Sequence, residues 1–245
     1  MTEENVFNLD GQVIPFQEGD TIMDAAMRAG VYIPHLCHNP EFTPHGSCKL
    51  CTVKVNGRNC SACTFPAAAN QTVFNNTDEL NEIRLTLTQM LFVEGNHFCP
   101  SCEKSGNCQL QGVGYELGML DTHFPLFYPQ RQVDASHPDI LLDRDRCILC
   151  SLCVRASRDA DGKNVFAISG RGIQSQLVVN AESGLLEDTD LSADDRAAHI
   201  CPVGAIIVKR HGFEAPIGER LFDHQTVGEW SLDQFDTGEQ AWQRD

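Results

Sequence analysis

Short apolar segments near the start of the chain predict two β-hairpins. Residues 6–9 and 12–14 flank Asp10-Gly11, a dipeptide that strongly favours a two-residue hairpin turn. Residues 52–55 lead into Asn56-Gly57, a second turn signal of the same type. Both hairpins are expected to contribute strands to one small sheet.

A short helix is predicted between the two hairpins. Asp20 or Thr21 can cap its first turn, apolar residues fill positions 22–29, and Gly30 stands where a left-handed residue ends a helix. Strands, one helix and a long connecting loop predict an α+β domain over residues 1–76.

The clearest amphipathic pattern follows this domain. It begins at Thr77 or Asp78, ends at Gly95, and repeats apolar side chains at helical spacing, namely Leu80, Ile83, Leu87 and Met90 or Leu91. A second, Gly-interrupted helix is expected from Cys108 to Met119, and residues 124–138 are expected to form an irregular linker. Residues 77–138 are thus predicted to form a small helical domain with its linker.

Apolar residues 140–142 introduce a third predicted domain, residues 139–212. The remaining residues, 213–245, form an acidic tail with few aliphatic side chains. We expect this tail to lie along a partner or to be loosely ordered.

Composition narrows the classes of protein that the chain can represent. The 245 residues are 42% hydrophobic and 21% charged, as in ordinary globular proteins. The formal net charge of −16 disfavours nucleic acid and anionic membranes as partners and favours proteins with basic patches. The N-terminus lacks the pattern of a secretory signal, so a cytoplasmic location is expected.

Twelve cysteines carry the chemical information of the sequence. In a reducing compartment disulfides are rare, and closely spaced cysteines are better interpreted as metal ligands or redox thiols. Ten of the twelve have another cysteine three or six positions away. This spacing indicates loops that bring several sulfur atoms to one point.

The third group of cysteines has the spacing that is most specific for an iron-sulfur cluster. Cys147, Cys150 and Cys153 have the spacing of a bacterial ferredoxin triad, and Cys201-Pro202 supplies the remote Cys-Pro element. The ligands of a second ferredoxin cluster are missing, since the corresponding positions hold Ser157, Leu191, Asp194 and Ala197. One [4Fe-4S] cluster is predicted here. A zinc site is the alternative, but structural zinc sites typically use two Cys-x2-Cys pairs, whereas this group is a triad with one distant cysteine.

The second group has three thiols, Cys99, Cys102 and Cys108, and no obvious fourth. His97 lies two residues upstream and is the preferred fourth ligand of a second [4Fe-4S] cluster, because imidazole replaces thiolate in some iron-sulfur sites. Asn96 and His123 are weaker candidates.

The first group approximates the spacing of plant-type [2Fe-2S] proteins, with a longer loop between its first two cysteines. Cys37, Cys48 and Cys51 are three of the predicted ligands, and both Cys60 and Cys63 can supply the fourth. A Rieske site would need Cys-x-His and Cys-x2-His pairs, which this loop lacks.

With three such groups in this order, the chain resembles the N-terminal cluster-binding part of the large iron-sulfur subunit of respiratory complex I. It is still more similar to the small diaphorase subunits of NAD-reducing soluble [NiFe]-hydrogenases, and the accessory region of [FeFe]-hydrogenases shares the pattern. The resemblance covers about residues 5–212. It includes the stretch at residues 95–111, SGRG at 169–172, and a Cys-x-x-Pro context matched by Cys63 and Pro66, whereas Cys60 has no counterpart.

The resemblance therefore implies Cys63 as the fourth [2Fe-2S] ligand and one histidine with three cysteines at the second site. Complex I subunits generally place three residues between that histidine and the first cysteine, whereas one residue separates His97 from Cys99 here, as in the diaphorase branch. The implied fold comprises a β-grasp [2Fe-2S] ferredoxin-like module, a small helical [4Fe-4S] module and a bacterial-ferredoxin-like [4Fe-4S] module.

The implied function is electron transfer between a flavin/NAD(H)-binding diaphorase subunit and the small and large subunits of a [NiFe]-hydrogenase. FMN, NAD and the nickel-iron centre would then belong to those partners, and no catalytic residue is expected in this chain. Gly112-x-Gly114 lies inside a predicted helix and is better explained by helix packing than by nucleotide binding. The alternatives are the equivalent subunit of an NAD-dependent formate dehydrogenase or of a short complex I relative and, more distantly, a zinc-binding scaffold.

Overall fold

A computed structural model describes residues 5–237 of the 245-residue chain and confirms the mixed α+β class. Its strands are β1 (Val6–Leu9), β2 (Gln12–Pro15), β3 (Thr52–Val55), β4 (Arg58–Ser61), β5 (Thr72–Phe74), β6 (Val133–Asp134), β7 (Ile140–Asp143), β8 (Phe166–Ser169), β9 (Gln176–Val179) and β10 (Ile206–Val208). Its α-helices are α1 (Ile22–Arg28), α2 (Asp78–Glu94), α3 (Gln109–Glu116), α4 (Leu152–Arg155), α5 (Arg196–His199), α6 (Leu221–His224) and α7 (Val227–Thr237). A π-helical turn, Ala156–Ala160, continues α4.

The N-terminal elements form a five-stranded sheet in the order β2-β1-β5-β3-β4. β1 and β5 are parallel, and the other neighbouring pairs are antiparallel. Both predicted hairpins are confirmed. Asp10 and Gly11 have φ values of 50° and 89°, and Asn56 and Gly57 have values of 48° and 84°, as the tight turn requires.

Helix α1 forms as predicted and buries one face against this sheet. The Thr21 side chain accepts a hydrogen bond from the Asp24 backbone, while the Asp24 carboxylate accepts one from Thr21 in return. Gly30, at φ 72°, follows the helix end. Ile22, Met23 and the neighbouring apolar residues are fully buried in the sheet core.

Helix α2 has the predicted bounds, but its buried face differs from the expected one. Met90 is 41% exposed, while Arg84 and Thr88 are buried between Leu80 and Val93. The reason is that the Arg84 guanidinium finds five hydrogen-bond acceptors, four of them on Leu50, Thr52 and Asn75 outside the helix and one on Asn81 of the helix itself, which the apolar periodicity alone does not reveal.

The C-terminal part of the chain combines a three-stranded sheet, β10-β7-β6, with the hairpin β8-β9. Helices α4 and α5 pack with these strands around a second core. Three of the positions where a second ferredoxin cluster would need cysteines are instead filled by packed side chains, namely Ser157, Leu191 and Ala197. The Ser157 hydroxyl accepts a hydrogen bond from the Val165 backbone.

The C-terminal tail corrects one expectation, because its described part folds back onto the chain. Val227 of α7 is 3% exposed, and a Cβ atom added at Gly112 of α3 would lie only 2.9 Å from the Val227 Cβ. Leu232 and Phe235 pack against the core of the five-stranded sheet. Helix α7 thus docks through its own apolar residues, and Gly112 serves helix packing as predicted. Residues 238–245 lie outside the described part.

Candidate metal centres

Four cysteines of the first group lie together beside the five-stranded sheet. The Sγ atoms of Cys51 and Cys63 are 3.3 Å apart, and the Cys48 backbone N–H donates to the Cys37 Sγ over 3.5 Å. Contacts with the Cys48 and Cys63 thiols lower the pKa of Cys37, which favours a thiolate at this site. Cys60 instead lies on β4 opposite Val53 and packs, half-buried, against the core of the sheet.

Local backbone geometry brings these four sulfur atoms together. Gly46 and Lys49 have φ values of 70° and 58°, so the chain turns sharply on both sides of Cys48. Behind the loop, the buried Arg84 donates to the carbonyl oxygens of Leu50 and Thr52, the two neighbours of Cys51. The guanidinium therefore fixes the backbone on both sides of this cysteine.

The second group lines one recess between α2 and α3. His97, Cys99, Cys102 and Cys108 all contribute to its wall. The Nε2 atom of His97 is buried and, among residues 5–237, has no hydrogen-bond partner. Burial, followed by the charges of Arg146 and Arg131, lowers the His97 pKa to about 4. A neutral imidazole with a free nitrogen is the chemical form that binds iron.

The weaker candidates for this fourth position lie elsewhere. Asn96 and His123 are exposed. The Asn96 side-chain amide donates to Asp145 over 3.5 Å, and the His123 backbone N–H donates to Gln89 over 3.4 Å. Neither residue contributes to the wall of the recess formed by His97 and the three cysteines. The structure thus favours His97 among the three candidates.

The third group lines a recess whose other walls are largely apolar. Cys147, Cys150, Cys153 and Cys201 surround it together with Ile148, Leu177 and Ile206. Leu149 and Ser151 adopt left-handed φ values of 54° and 59°, which close the loop tightly around the triad. Burial raises the pKa of Cys147 to about 11 and that of Cys150 well above its ordinary value. Thiolates here therefore need a positive counter-charge, which iron supplies.

A single apolar core joins the three sites. Leu36, Leu50, Leu110 and Val203 are buried in it, and at least one cysteine of each group packs against it, namely Cys48, Cys108, Cys147 and Cys201. The Gln109 backbone also donates to the carbonyl oxygen of Pro202 over 2.9 Å, which ties the second site to the third. The three groups are therefore neighbours around one core.

Two arginines at these sites were not predicted from the sequence. Arg146 donates to the Cys102 Sγ over 3.6 Å and to the Glu103 carboxylate over 2.8 Å, so it connects the second site to the loop of Cys147. Arg155 contacts the loops of the first and third sites. The sequence feature that could have identified both arginines is their position, since each lies within two residues of a cysteine of the triad.

Comparison with known families assigns each cysteine group to a separate domain model. Residues 4–78 match a 2Fe-2S iron-sulfur cluster binding domain, and residues 140–208 match a 4Fe-4S single cluster domain. Between them, residues 84–123 match the NADH-ubiquinone oxidoreductase-G iron-sulfur binding region. These assignments support one [2Fe-2S] and two [4Fe-4S] clusters.

The chain is 45% identical over 220 residues to the NAD-reducing hydrogenase HoxS subunit gamma of Cupriavidus necator, covering 89% of this chain and 93% of that protein. It belongs to the family of this gamma subunit. Members of this family are iron-sulfur electron-transfer subunits of an oxidoreductase. A solved structure of an NAD+-reducing [NiFe]-hydrogenase in the H2-reduced state contains a chain with 53% identity and a TM-score of 0.91, covering 94% of this chain and 98% of that one.

More distant relatives of the gamma-subunit family are longer proteins. The NADPH-Fe(3+) oxidoreductase subunit alpha of Geobacter sulfurreducens is 30% identical over 84% of this chain, which spans 24% of that protein. The NADH-ubiquinone oxidoreductase 78 kDa subunit of Candida albicans is 29% identical over 84% of this chain, which spans 29% of that protein. The predicted relation to complex I is confirmed.

Residues 5–237 contain no helix long and apolar enough to cross a bilayer. They also contain no group of three or more His, Cys, Asp or Glu side chains arranged to hold a single metal ion. The cysteine groups are therefore interpreted through their spacing, their shared recesses and the family models.

Proposed function

We propose that this chain conducts electrons between a flavin/NAD(H)-binding diaphorase subunit and the small and large subunits of a [NiFe]-hydrogenase. In that complex the overall reaction would be H2 + NAD+ = NADH + H+. The observation that carries the proposal is the arrangement of three four-donor groups around one apolar core. FMN, NAD and the nickel-iron centre would be held by the partner subunits.

The proposed ligands are four per site. They are Cys37, Cys48, Cys51 and Cys63 for [2Fe-2S]; His97, Cys99, Cys102 and Cys108 for one [4Fe-4S] cluster; and Cys147, Cys150, Cys153 and Cys201 for the other. The unpartnered Nε2 atom of His97 supports the second set, and the sulfur contact between Cys51 and Cys63 supports the first. When bound, the clusters supply one-electron redox centres.

The proposed modules follow the sites. The five-stranded sheet and α1 correspond to a β-grasp ferredoxin-like module over residues 1–76. Helices α2 and α3 form the histidine-containing module and its linker within residues 77–138, and residues 139–212 form the single-cluster ferredoxin-like module. We propose the cytoplasm as the compartment, because disulfides are rare there and the close cysteine spacings are those of metal ligands.

The residues of this chain have three tasks in the proposed function. The loops present sulfur and imidazole donors at fixed positions. The apolar core that includes Leu50 and Val203 excludes water between the sites, and low polarity limits reorganisation when charge moves. Arg84 and Arg146 place positive charge beside the first and second sites, where it favours the more negative, reduced state.

The equivalent subunit of an NAD-dependent formate dehydrogenase or of a short complex I relative would use the same ligands. The similarity to a hydrogenase subunit over nearly the whole of both chains favours the first proposal. A zinc-binding scaffold is disfavoured, because the cysteine spacings match iron-sulfur domain models in all three regions.

The test is anaerobic purification of the complex that contains this chain, followed by metal analysis and EPR after reduction. We expect iron and nickel, with cluster signals that appear when either H2 or NADH is added. Molybdenum or tungsten in place of nickel would assign the chain to a formate dehydrogenase. A colourless complex that contains zinc and lacks acid-labile sulfide would refute electron transfer.

A further inference from the structure

Arg155 ends helix α4, two residues after Cys153, and is 6% exposed. Four hydrogen bonds from its guanidinium are resolved, and all four acceptors are backbone carbonyl oxygens. These acceptors are Cys37 at 2.6 Å, Thr43 at 2.9 Å, Cys150 at 3.4 Å and Ser151 at 3.2 Å. The side chain is thus held on several sides by backbone alone.

These acceptors belong to two different sites. Cys37 and Thr43 lie in the ligand loop of the first site, whereas Cys150 and Ser151 lie in the triad loop of the third site. Cys37 is also buried in the same core as Cys150 and Cys153. The planar guanidinium of arginine has several N–H donors in fixed directions and can bind two loops at once, whereas the single ammonium group of lysine does so less well.

None of the four acceptors of Arg155 is a carboxylate, so these hydrogen bonds do not neutralise its positive charge. Asp159 is within electrostatic reach, but it is about 40% exposed and forms its own ion pair with Arg158. A buried guanidinium is costly to desolvate unless negative charge lies nearby. The thiolate ligands of the two adjoining sites provide such charge once they bind iron.

We propose that Arg155 is a positioning residue that fixes the [2Fe-2S] ligand loop against the C-terminal [4Fe-4S] ligand loop and gives both sites a shared positive charge. This inference rests on the proposed function of the chain. Because the charge favours the reduced form of each cluster, Arg155 raises the reduction potentials of both clusters; none of these four hydrogen bonds goes to the loop of the histidine-ligated cluster.

Redox-titrated EPR on the purified complex tests this proposal. In Arg155→Gln we expect the midpoints of the [2Fe-2S] and C-terminal [4Fe-4S] clusters to shift to lower potential, while the midpoint of the histidine-ligated cluster stays unchanged. The matched control is Arg158→Gln, which removes an arginine from the next turn whose side chain is 57% exposed, and should shift none of the three. Three unshifted midpoints in Arg155→Gln, or a shift at one cluster alone, would overturn the proposal.

Arg155→Lys keeps the test decisive if Arg155→Gln fails to assemble its clusters. The ammonium group of lysine retains the charge but cannot contact both loops equally. The charge therefore lies farther from at least one of the two clusters, and the midpoint of that cluster should fall, while the midpoint of the histidine-ligated cluster is unchanged. Unshifted midpoints would contradict the proposal. If both variants lose iron, the loss should be confined to these two sites; loss at all three sites, or at one, would overturn it. Failure of the proposed function is distinguishable, since the wild-type complex would then lack the cluster signals or contain molybdenum or tungsten in place of nickel, and neither result depends on Arg155.

Discussion

Replacing Arg84 with methionine should destabilise the [2Fe-2S] domain selectively. Methionine keeps much of the aliphatic packing but removes every donor of a side chain that is 2% exposed. Three of its hydrogen bonds are fully buried: the bond to the Leu50 carbonyl at 3.1 Å, and those to the carbonyl and side-chain oxygens of Asn75 at 2.8 and 2.6 Å.

The size of the effect follows from these bonds. At about 1–1.5 kcal/mol of net stability for each buried bond, Arg84→Met should cost roughly 3–5 kcal/mol. With a urea dependence of about 2 kcal/mol per molar, the midpoint of domain unfolding should fall by roughly 2 M.

The assay is anaerobic urea titration of the loaded chain, followed by the visible circular dichroism of the [2Fe-2S] cluster. The matched control is Lys54→Met, which removes an exposed ion pair with Glu79 beside the same sheet and should cost less than about 1 kcal/mol. If Arg84→Met and Lys54→Met shift the midpoint equally, Arg84 does not hold the loop in the way described.

Three further substitutions test individual residues. Cys60→Ser should retain the [2Fe-2S] EPR signal, whereas Cys63→Ser should weaken or shift it; the reverse result would reassign the ligand. His97→Cys adds a negative charge to the proposed ligand set and should lower that cluster's midpoint potential in redox-titrated EPR, whereas His123→Cys should not; equal midpoints would remove His97 from the ligands. Burial raises the pKa of the Glu116 carboxyl above its ordinary 4.5, so its charge destabilises the fold above that pH. Glu116→Gln should therefore raise the melting temperature at pH 8, with a gain that shrinks as the pH falls towards 4.5; a pH-independent gain would contradict this origin.

Local chemistry made part of the fold predictable from the sequence. Asp10-Gly11 and Asn56-Gly57 determine their hairpins through their own backbone preferences. Thr21 and Thr77 cap their helices because each side chain accepts a hydrogen bond from a backbone N–H three residues later. The ligand groups were recognisable for a similar reason, because a cluster needs several donors within a short loop. Such signals lie within a few residues of the feature they specify.

The features that the sequence did not reveal depend on contacts between distant segments. Arg84 is buried because loops around residues 50 and 75 supply acceptors, and α7 docks because Gly112 leaves room for Val227. Arg155 joins loops that are more than a hundred residues apart in the chain. Apolar periodicity predicts which face of a helix is buried only when the neighbours of that helix are apolar.

The most direct test of the account is the iron and acid-labile sulfide content of the chain, purified anaerobically with its partners, together with EPR of the reduced clusters. One [2Fe-2S] and two [4Fe-4S] clusters predict about 10 iron and 10 sulfide per chain, with three distinguishable reduced signals. An intact preparation with zinc in place of iron, or with iron for only two clusters, would contradict the account.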